Sequence, residues 1–179
     1  MKKNIEKIIN IPEGIEVNVK DSVITIQKDG KELRRIFALP KIVIAKDKDL
    51  KISAENATKR ELKMIGTIRG HIMNMIEGLQ EDFVYKMEVC NVHFPMNVKV
   101  EGDKLVIKTF LGETVDRYAK ILPNVNVEIV GNIITISSFD KESAGQTAAN
   151  IEKATKLKGR DRRVFQDGIF ITEKCGRKI

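Results

Sequence analysis

The feature that most constrains the fold is that the chain runs through nearly the same series of elements twice. Period-two alternation marks Val17-Asn-Val19, Val23-Ile-Thr-Ile26, Arg35-Ile-Phe37, Ile42-Val-Ile44 and Leu50-Lys-Ile52 as short strands. Lys20-Asp-Ser22, Asp29-Gly30 and Lys46-Asp-Lys-Asp49 supply the polar or φ-permissive residues that hairpin turns need. From Ala57 to Leu79 the period lengthens. Leu62, Ile65, Ile68, Ile72, Met75, Ile76 and Leu79 recur at three- and four-residue steps, which predicts one amphipathic helix. Asn56 or Thr58 can cap its start, and Glu61, three residues after Thr58, completes a capping-box pattern.

A strand-like stretch over Phe83–Val92 then opens the series again. Val98-Lys-Val100 answers Val17-Asn-Val19, and Leu105-Val-Ile107 answers Ile24-Thr-Ile26, at an offset of about 81. The same offset sets Gly112-Glu113 opposite Lys31-Glu32 and Tyr118 opposite Phe37. After small insertions Pro123 stands opposite Pro40, and Ile136-Ser137 opposite Ile52-Ser53. A second helix, about Lys141 to Lys156, closes the unit with a thin face of Ala144, Ala148, Ile151 and Ala154. Order preserved over both halves indicates an internal duplication. The expected fold class is therefore α+β, two tandem duplicated domains, each a mostly antiparallel sheet with one helix packed on a face. The expected boundaries are 1–81 for the first domain and 82–174 for the second, with 175–179 a short basic tail.

The positive charge is unevenly spread. The chain has 32 Lys and Arg against 25 Asp and Glu, a net charge of +7. Residues 151–179 hold nine of the basic and four of the acidic residues, so +5 falls there and only +2 on the first 150. Such a concentration attracts polyanions. With no Trp and 5% aromatic residues, open base-stacking platforms are not expected, and contacts to a phosphate backbone fit better. The run Lys156 to Arg163 follows a helix, contains Gly159 and reads as a loop. Beyond it Val164-Phe165 and Ile169-Phe170-Ile171 flank Asp167-Gly168, a turn dipeptide between strand-like residues that would dock the far side of the loop on a sheet. Docking lowers the loop entropy that binding must otherwise overcome. The candidate RNA-contacting residues are Lys156, Lys158, Arg160, Arg162, Arg163, Lys174, Arg177 and Lys178, with the arginine forks suited to holding phosphates. A second candidate set, Lys59, Arg60, Lys63 and Arg69, lies on the first helix.

Catalytic chemistry finds little support. No GxxxxGK[ST] phosphate loop is present. His71 and His93 are the two histidines, and Cys90-Asn-Val-His93 offers at most half of a four-ligand zinc site. Cys90 and Cys175 read as free thiols. The expectation is a protein that is not an enzyme, with no catalytic residue, metal, cofactor or small-molecule substrate. No apolar run reaches the ~18 residues of a membrane span, and the start, Met1-Lys-Lys-Asn-Ile-Glu-Lys, is too charged for a signal-peptide core. A cytoplasmic, membrane-independent protein is expected, so the glycosylation triplet Asn56-Ala-Thr58 is discounted. Met64, Met73 and Met75 lie in the first helix, and an alternative reading makes helix 57–79 the contact surface of a protein-interaction module.

Three stretches carry a resemblance. Arg162-Arg-Val-Phe-Gln-Asp-Gly-Ile-Phe-Ile, the segment Asn74-Met-Ile-Glu-Gly78 leading to Phe83-Val-Tyr-Lys-Met87, and His93-Phe-Pro-Met-Asn-Val98 are similar to the C-terminal signature, the domain junction and the second-domain opening of one family. That family is the universal sixth protein of the large ribosomal subunit, in its archaeal and eukaryotic form. Where its members commonly carry Tyr after Asp-Gly-Ile, this chain has Phe170. The resemblance implies a cytoplasmic, ribosome-borne, non-enzymatic protein of two duplicated α+β domains that binds large-subunit ribosomal RNA near the sarcin-ricin region and supports translation. It also implies neighbouring ribosomal proteins as partners, with translational GTPases docking nearby.

Overall fold

The computed structural model describes residues 3–179 apart from 21, 38 and 48, and residue 3 by its backbone alone. Asp21 and Lys48, named in two turn signals, and the charged start before residue 3 lie outside the described residues. Contacts gather into two compact units, residues 1–81 and 82–179.

The first unit contains β1 (Lys3–Ile9), β2 (Glu16–Lys20), β3 (Val23–Lys28), β4 (Lys31–Ile36), β5 (Val43–Lys46), β6 (Leu50–Ala57) and α1 (Lys59–Gln80). Strands β1-β6-β5 form one antiparallel sheet and β2-β3-β4 another. The turn between β3 and β4 is the two-residue Asp29-Gly30, with φ of 49° and 79°, the paired positive values that a type I′ hairpin demands. Alternation places Ile24, Ile26, Leu50 and Ile52 inward, where they are fully buried along with Ile65 and Ile72 of α1. Thr58 caps α1 with the predicted capping box, the Glu61 carboxylate accepting from the Thr58 backbone at 2.8 Å.

The second unit contains β7 (Phe83–Cys90), β8 (Asn97–Glu101), β9 (Lys104–Lys108), a 3₁₀ turn (Phe110–Gly112), β10 (Arg117–Lys120), β11 (Asn126–Val130), β12 (Ile133–Ser138), α2 (Lys141–Ala154), β13 (Gly168–Lys174) and β14 (Arg177–Lys178). Its sheets are β10-β9-β8 and β11-β12-β7-β13-β14, again antiparallel. Met87, Leu105, Ile107, Phe110, Ile134 and Ile136 make the core, closed by Ala144, Ala148 and Ile151 of α2. Small residues let the helix lie close: a Cβ on Gly145 would stand 3.0 Å from the Tyr85 hydroxyl.

The expected fold class is the observed one. Both units are α+β with the same pairing order, β5-β6-β1 in the first matching β11-β12-β7 in the second, and each unit divides its strands between two sheets. Pairing register corrects one detail of the repeat. Tyr118 pairs with Val106, and Arg34 with Thr25, so Tyr118 is the counterpart of Arg34 and not of Phe37. The insertion therefore precedes β10, in the 3₁₀ turn, and Gly112-Glu113 has no strand counterpart.

Other local expectations shift for identifiable reasons. At 100° per residue, Leu62 falls about 90° from the centre of the buried stripe on α1, and it is 48% exposed. Met75 is core, Met64 half-buried and Met73 exposed, so one of these three methionines fills the interior and the others stand toward its edge and the surface. Strand β1 escaped notice because a bulge interrupts its register between Lys3 and Ile5, and Ile8 faces solvent. Asn56 belongs to that irregularity, its backbone N–H donating to the Asn4 side chain at 3.0 Å, and is not the helix cap. The segment expected as a tail folds back instead, Arg177 and Lys178 pairing with Lys174 and Glu173.

Two outcomes follow. Ile136→Ala removes a fully buried side chain from the middle of a sheet and should lower unfolding free energy by about 2–5 kcal/mol in urea titrations. Thr58→Ala should cost about 1 kcal/mol. Hydrogen bonds from the Thr58 side chain and backbone hold the exposed Glu61 carboxyl at about 2, from an ordinary 4.5. Its stabilising effect is complete above the unfolded value and disappears as pH falls through about 2. In Thr58→Ala a carboxyl-detected NMR titration should show Glu61 returning toward 4.5.

Candidate nucleic-acid interface

Chain leaving α2 must reach β13 across a stretch with no regular structure, 155–167, and buried polar groups close both ends of it. Thr155, 3% exposed, accepts from the Ile169 N–H at 3.0 Å and donates to the Glu152 carbonyl at 3.2 Å. A hydroxyl there fixes the loop's two stems to each other. Asp167, 2% exposed, accepts from the His93 backbone at 2.9 Å and from its ring Nδ1 at 2.6 Å. Burial pushes the Asp167 carboxyl up, but the hydrogen bonds from His93 and Val92 outweigh it and leave the group below its ordinary value.

A second clamp holds the helix end. Arg117 Nη1 donates to the Ala154 carbonyl at 2.9 Å and reaches the Lys156 carbonyl at 3.5 Å. Glu113 grips the same guanidinium at 2.6 and 2.7 Å, and the Phe110 ring lies 4.2 Å beneath it. The hydrogen bonds from Arg117 hold Glu113 below the ordinary carboxylate range. Phe110 and Glu113 lie in the loop before β10 that the insertion lengthens in the second half. That lengthened loop thus builds the support for the basic loop.

Inside the loop, Asp161 accepts from the Arg163 backbone at 2.9 Å and from its side chain at 2.8 Å, and its carbonyl takes the Phe165 N–H at 2.9 Å. Phe165 packs against His93, centroids 5.0 Å apart, with the Arg160 guanidinium 4.7 Å over its ring. The loop is an ordered turn with a ring at its centre.

Lys156, Lys158, Arg160, Arg162 and Arg163 are all exposed on this loop. They are not equivalent. Arg163 shares its charge with Asp161 and Arg160 lies on Phe165, while Lys156, Lys158 and Arg162 make no ion pair among the described residues. Lys174, Arg177 and Lys178 are also exposed, grouped at the β13–β14 hairpin by the Cys175-Gly176 turn, with φ of 48° and 80°. At about 3.3 Å per residue, the seven residues of β13 set the hairpin about 20 Å from the loop. The structure therefore sorts the eight expected residues into two clusters at opposite ends of one strand. Lys59, Arg60, Lys63 and Arg69 are exposed on α1, in the other unit.

Sequence reasoning missed three contributors. Asp167-Gly168 was expected as a turn between two strands; instead Asp167 is a buried tether, Gly168 already pairs with Cys90, and Val164-Phe165 belong to a turn. A Cβ on Gly168 would meet the Phe170 ring at 3.0 Å. His93 faces Asp167, 74 residues away in sequence. Arg117 carries no local signal, although a basic residue just beyond an insertion in a repeat marks a position to inspect.

Comparison with known proteins places the chain among ribosomal proteins. The family model of ribosomal protein L6 matches residues 94–168, ending at the loop's second stem. Large ribosomal subunit protein uL6 of Methanococcus vannielii is 43% identical over 177 residues, 98% of this chain and 97% of that protein. Its counterpart in Methanosarcina mazei is 45% identical over 176 residues, 98% and 100% of the two chains.

Thr155→Val keeps the shape but leaves the buried Ile169 N–H without an acceptor, so stability should fall by about 1–3 kcal/mol. Arg117→Met should leave the core intact and speed tryptic cleavage at Lys156 and Lys158 several-fold, read by mass spectrometry of early digests. Unchanged cleavage would remove Arg117 from the support.

Proposed function

Because the chain belongs to the uL6 family of large-ribosomal-subunit proteins, we propose that it is a non-catalytic constituent of that subunit. In this reading it holds large-subunit ribosomal RNA near the sarcin-ricin, factor-binding region of the cytoplasmic ribosome. The observation that carries the reading is a loop of five exposed cations whose two stems are tied by buried hydrogen bonds before any ligand arrives. Ordering such a loop on RNA would otherwise oppose binding. Here folding has already ordered it, so phosphate neutralisation and counterion release can appear as affinity. The hairpin cluster about 20 Å away gives a second phosphate contact, suited to a neighbouring turn of RNA helix or a second segment. Neighbouring ribosomal proteins complete the surroundings, with translational GTPases working nearby. No helix among the described residues is long and apolar enough to cross a membrane.

The role requires no reactive group. The cations position RNA, and the sheets behind them supply stiffness. With about six phosphate contacts, binding of the intact chain to purified large-subunit RNA should weaken with salt along a log–log slope of about −4 to −5. Replacing Lys156, Lys158 and Arg162 by Glu touches no ion pair and no ring contact among the described residues. It should flatten that slope, abolish incorporation into the subunit on sucrose gradients and leave far-ultraviolet circular dichroism unchanged. Normal incorporation of this variant would sink the site assignment.

A further inference from the structure

A cleft of about 630 Å³ lies in the second unit under the basic loop. Leu157, Phe165 and Phe170 contribute apolar wall, while Lys153, Lys156 and Arg162 bring three cations to the same opening. The volume is within the range of formed ligand sites. Phosphate contact alone would not call for such a place, because a phosphate is strongly hydrated and gains nothing from aromatic wall. A nucleobase does gain, since its faces and edges leave water for ring and aliphatic surface.

We propose that the cleft receives one unstacked nucleotide of the bound RNA, the base against Phe165, Phe170 and Leu157 and its phosphate at Lys153, Lys156 and Arg162. The proposal deepens the RNA-binding reading and rests on it. Charge complementarity identifies the occupant as an anion, and the apolar wall identifies an anion that carries a flat ring. Glu152, also on the cleft, is the carboxylate available to a base, because Asp167 is committed to His93. An acceptor there favours a base with an exocyclic amine. The Thr155 and Asp167 tethers keep the cleft open in the unbound protein, so only the RNA must rearrange. Low aromatic content argues against a broad stacking platform; a cleft for one base needs only the two half-buried rings present.

The test is zero-length ultraviolet cross-linking of the intact protein to purified large-subunit RNA, with mass-spectrometric mapping of the joined peptides. The proposal expects one nucleotide attached to peptides containing Cys90, Phe165 or Phe170. Val92 lines the mouth and is 67% exposed, so Val92→Trp adds bulk there without touching the core. It should suppress that cross-link ~10-fold, the scale set by losing one base–aromatic contact, while the salt slope stays at its wild-type value. Gln166→Trp, from another part of the lining, should act in the same way and guards against a folding defect in the first variant. Cross-links confined to peptides outside the cleft, in a complex that does form, would overturn the proposal. So would cleft cross-links undiminished by both variants. If no RNA is retained, the RNA-binding reading itself falls, and this site with it.

Discussion

The second unit depends on how the outer edge of β7 is satisfied. An exposed strand edge presents a row of unpaired donors and acceptors, and chains cover such edges or pair them. Here β13 pairs along β7 from Gly168–Cys90 to Lys174–Tyr85, with one register shift between Ile171 and Glu173. Ile169 is thereby driven to complete burial in the core. That burial fixes the start of the strand, and with it the place where the basic loop must end. It equally fixes the far end, where the hairpin displays Lys174, Arg177 and Lys178. Among the described residues the first unit has no counterpart of this strand, and β1 is the edge of its sheet.

The basic loop is then held in place by groups other than its own exposed cations. A hydroxyl, a buried carboxylate and an arginine clamp hold the loop at its two stems. Each tether is cheap because its partner is backbone or a neighbouring side chain already in place. Each is also costly to remove, because a buried donor left unpaired loses its water without compensation. The arrangement separates two sets of groups: interior polar groups set geometry, and the cations stand exposed on the surface. It also leaves room beneath the loop, since tethers at the stems need not fill the space between them.

Much of the architecture was legible from the sequence because its signals are local. Alternation marked most strands of both halves, the three- and four-residue steps marked α1, and Thr58 with Glu61 showed a capping box at its start. The repeat was visible because the two halves keep the same order of turns and strands. Where local signals conflict, reading failed: β1 carries a bulge and an outward Ile8, and the three-residue insertion before β10 was placed too late. The basic candidates were legible as a group, since charge counts need no fold. Their separation into two clusters was not, because the strand residues 168–173 hold them apart only once β13 is known to be extended.

The sequence by itself determined the α+β class, the duplication, the capping box of the first helix and the excess of positive charge near the C-terminal end. Those properties follow from spacings of a few residues, or from simple addition. Tertiary structure alone decided that Asp167 is a buried tether rather than a turn residue, that Arg117 guards the end of α2, and that a cleft opens beneath the loop. The pairs concerned, Asp167 with His93 and Arg117 with Ala154, are 74 and 37 residues apart. No periodicity spans such distances. Only the closing of the sheet brings these groups within hydrogen-bonding reach, and only burial makes the contacts strong enough to matter.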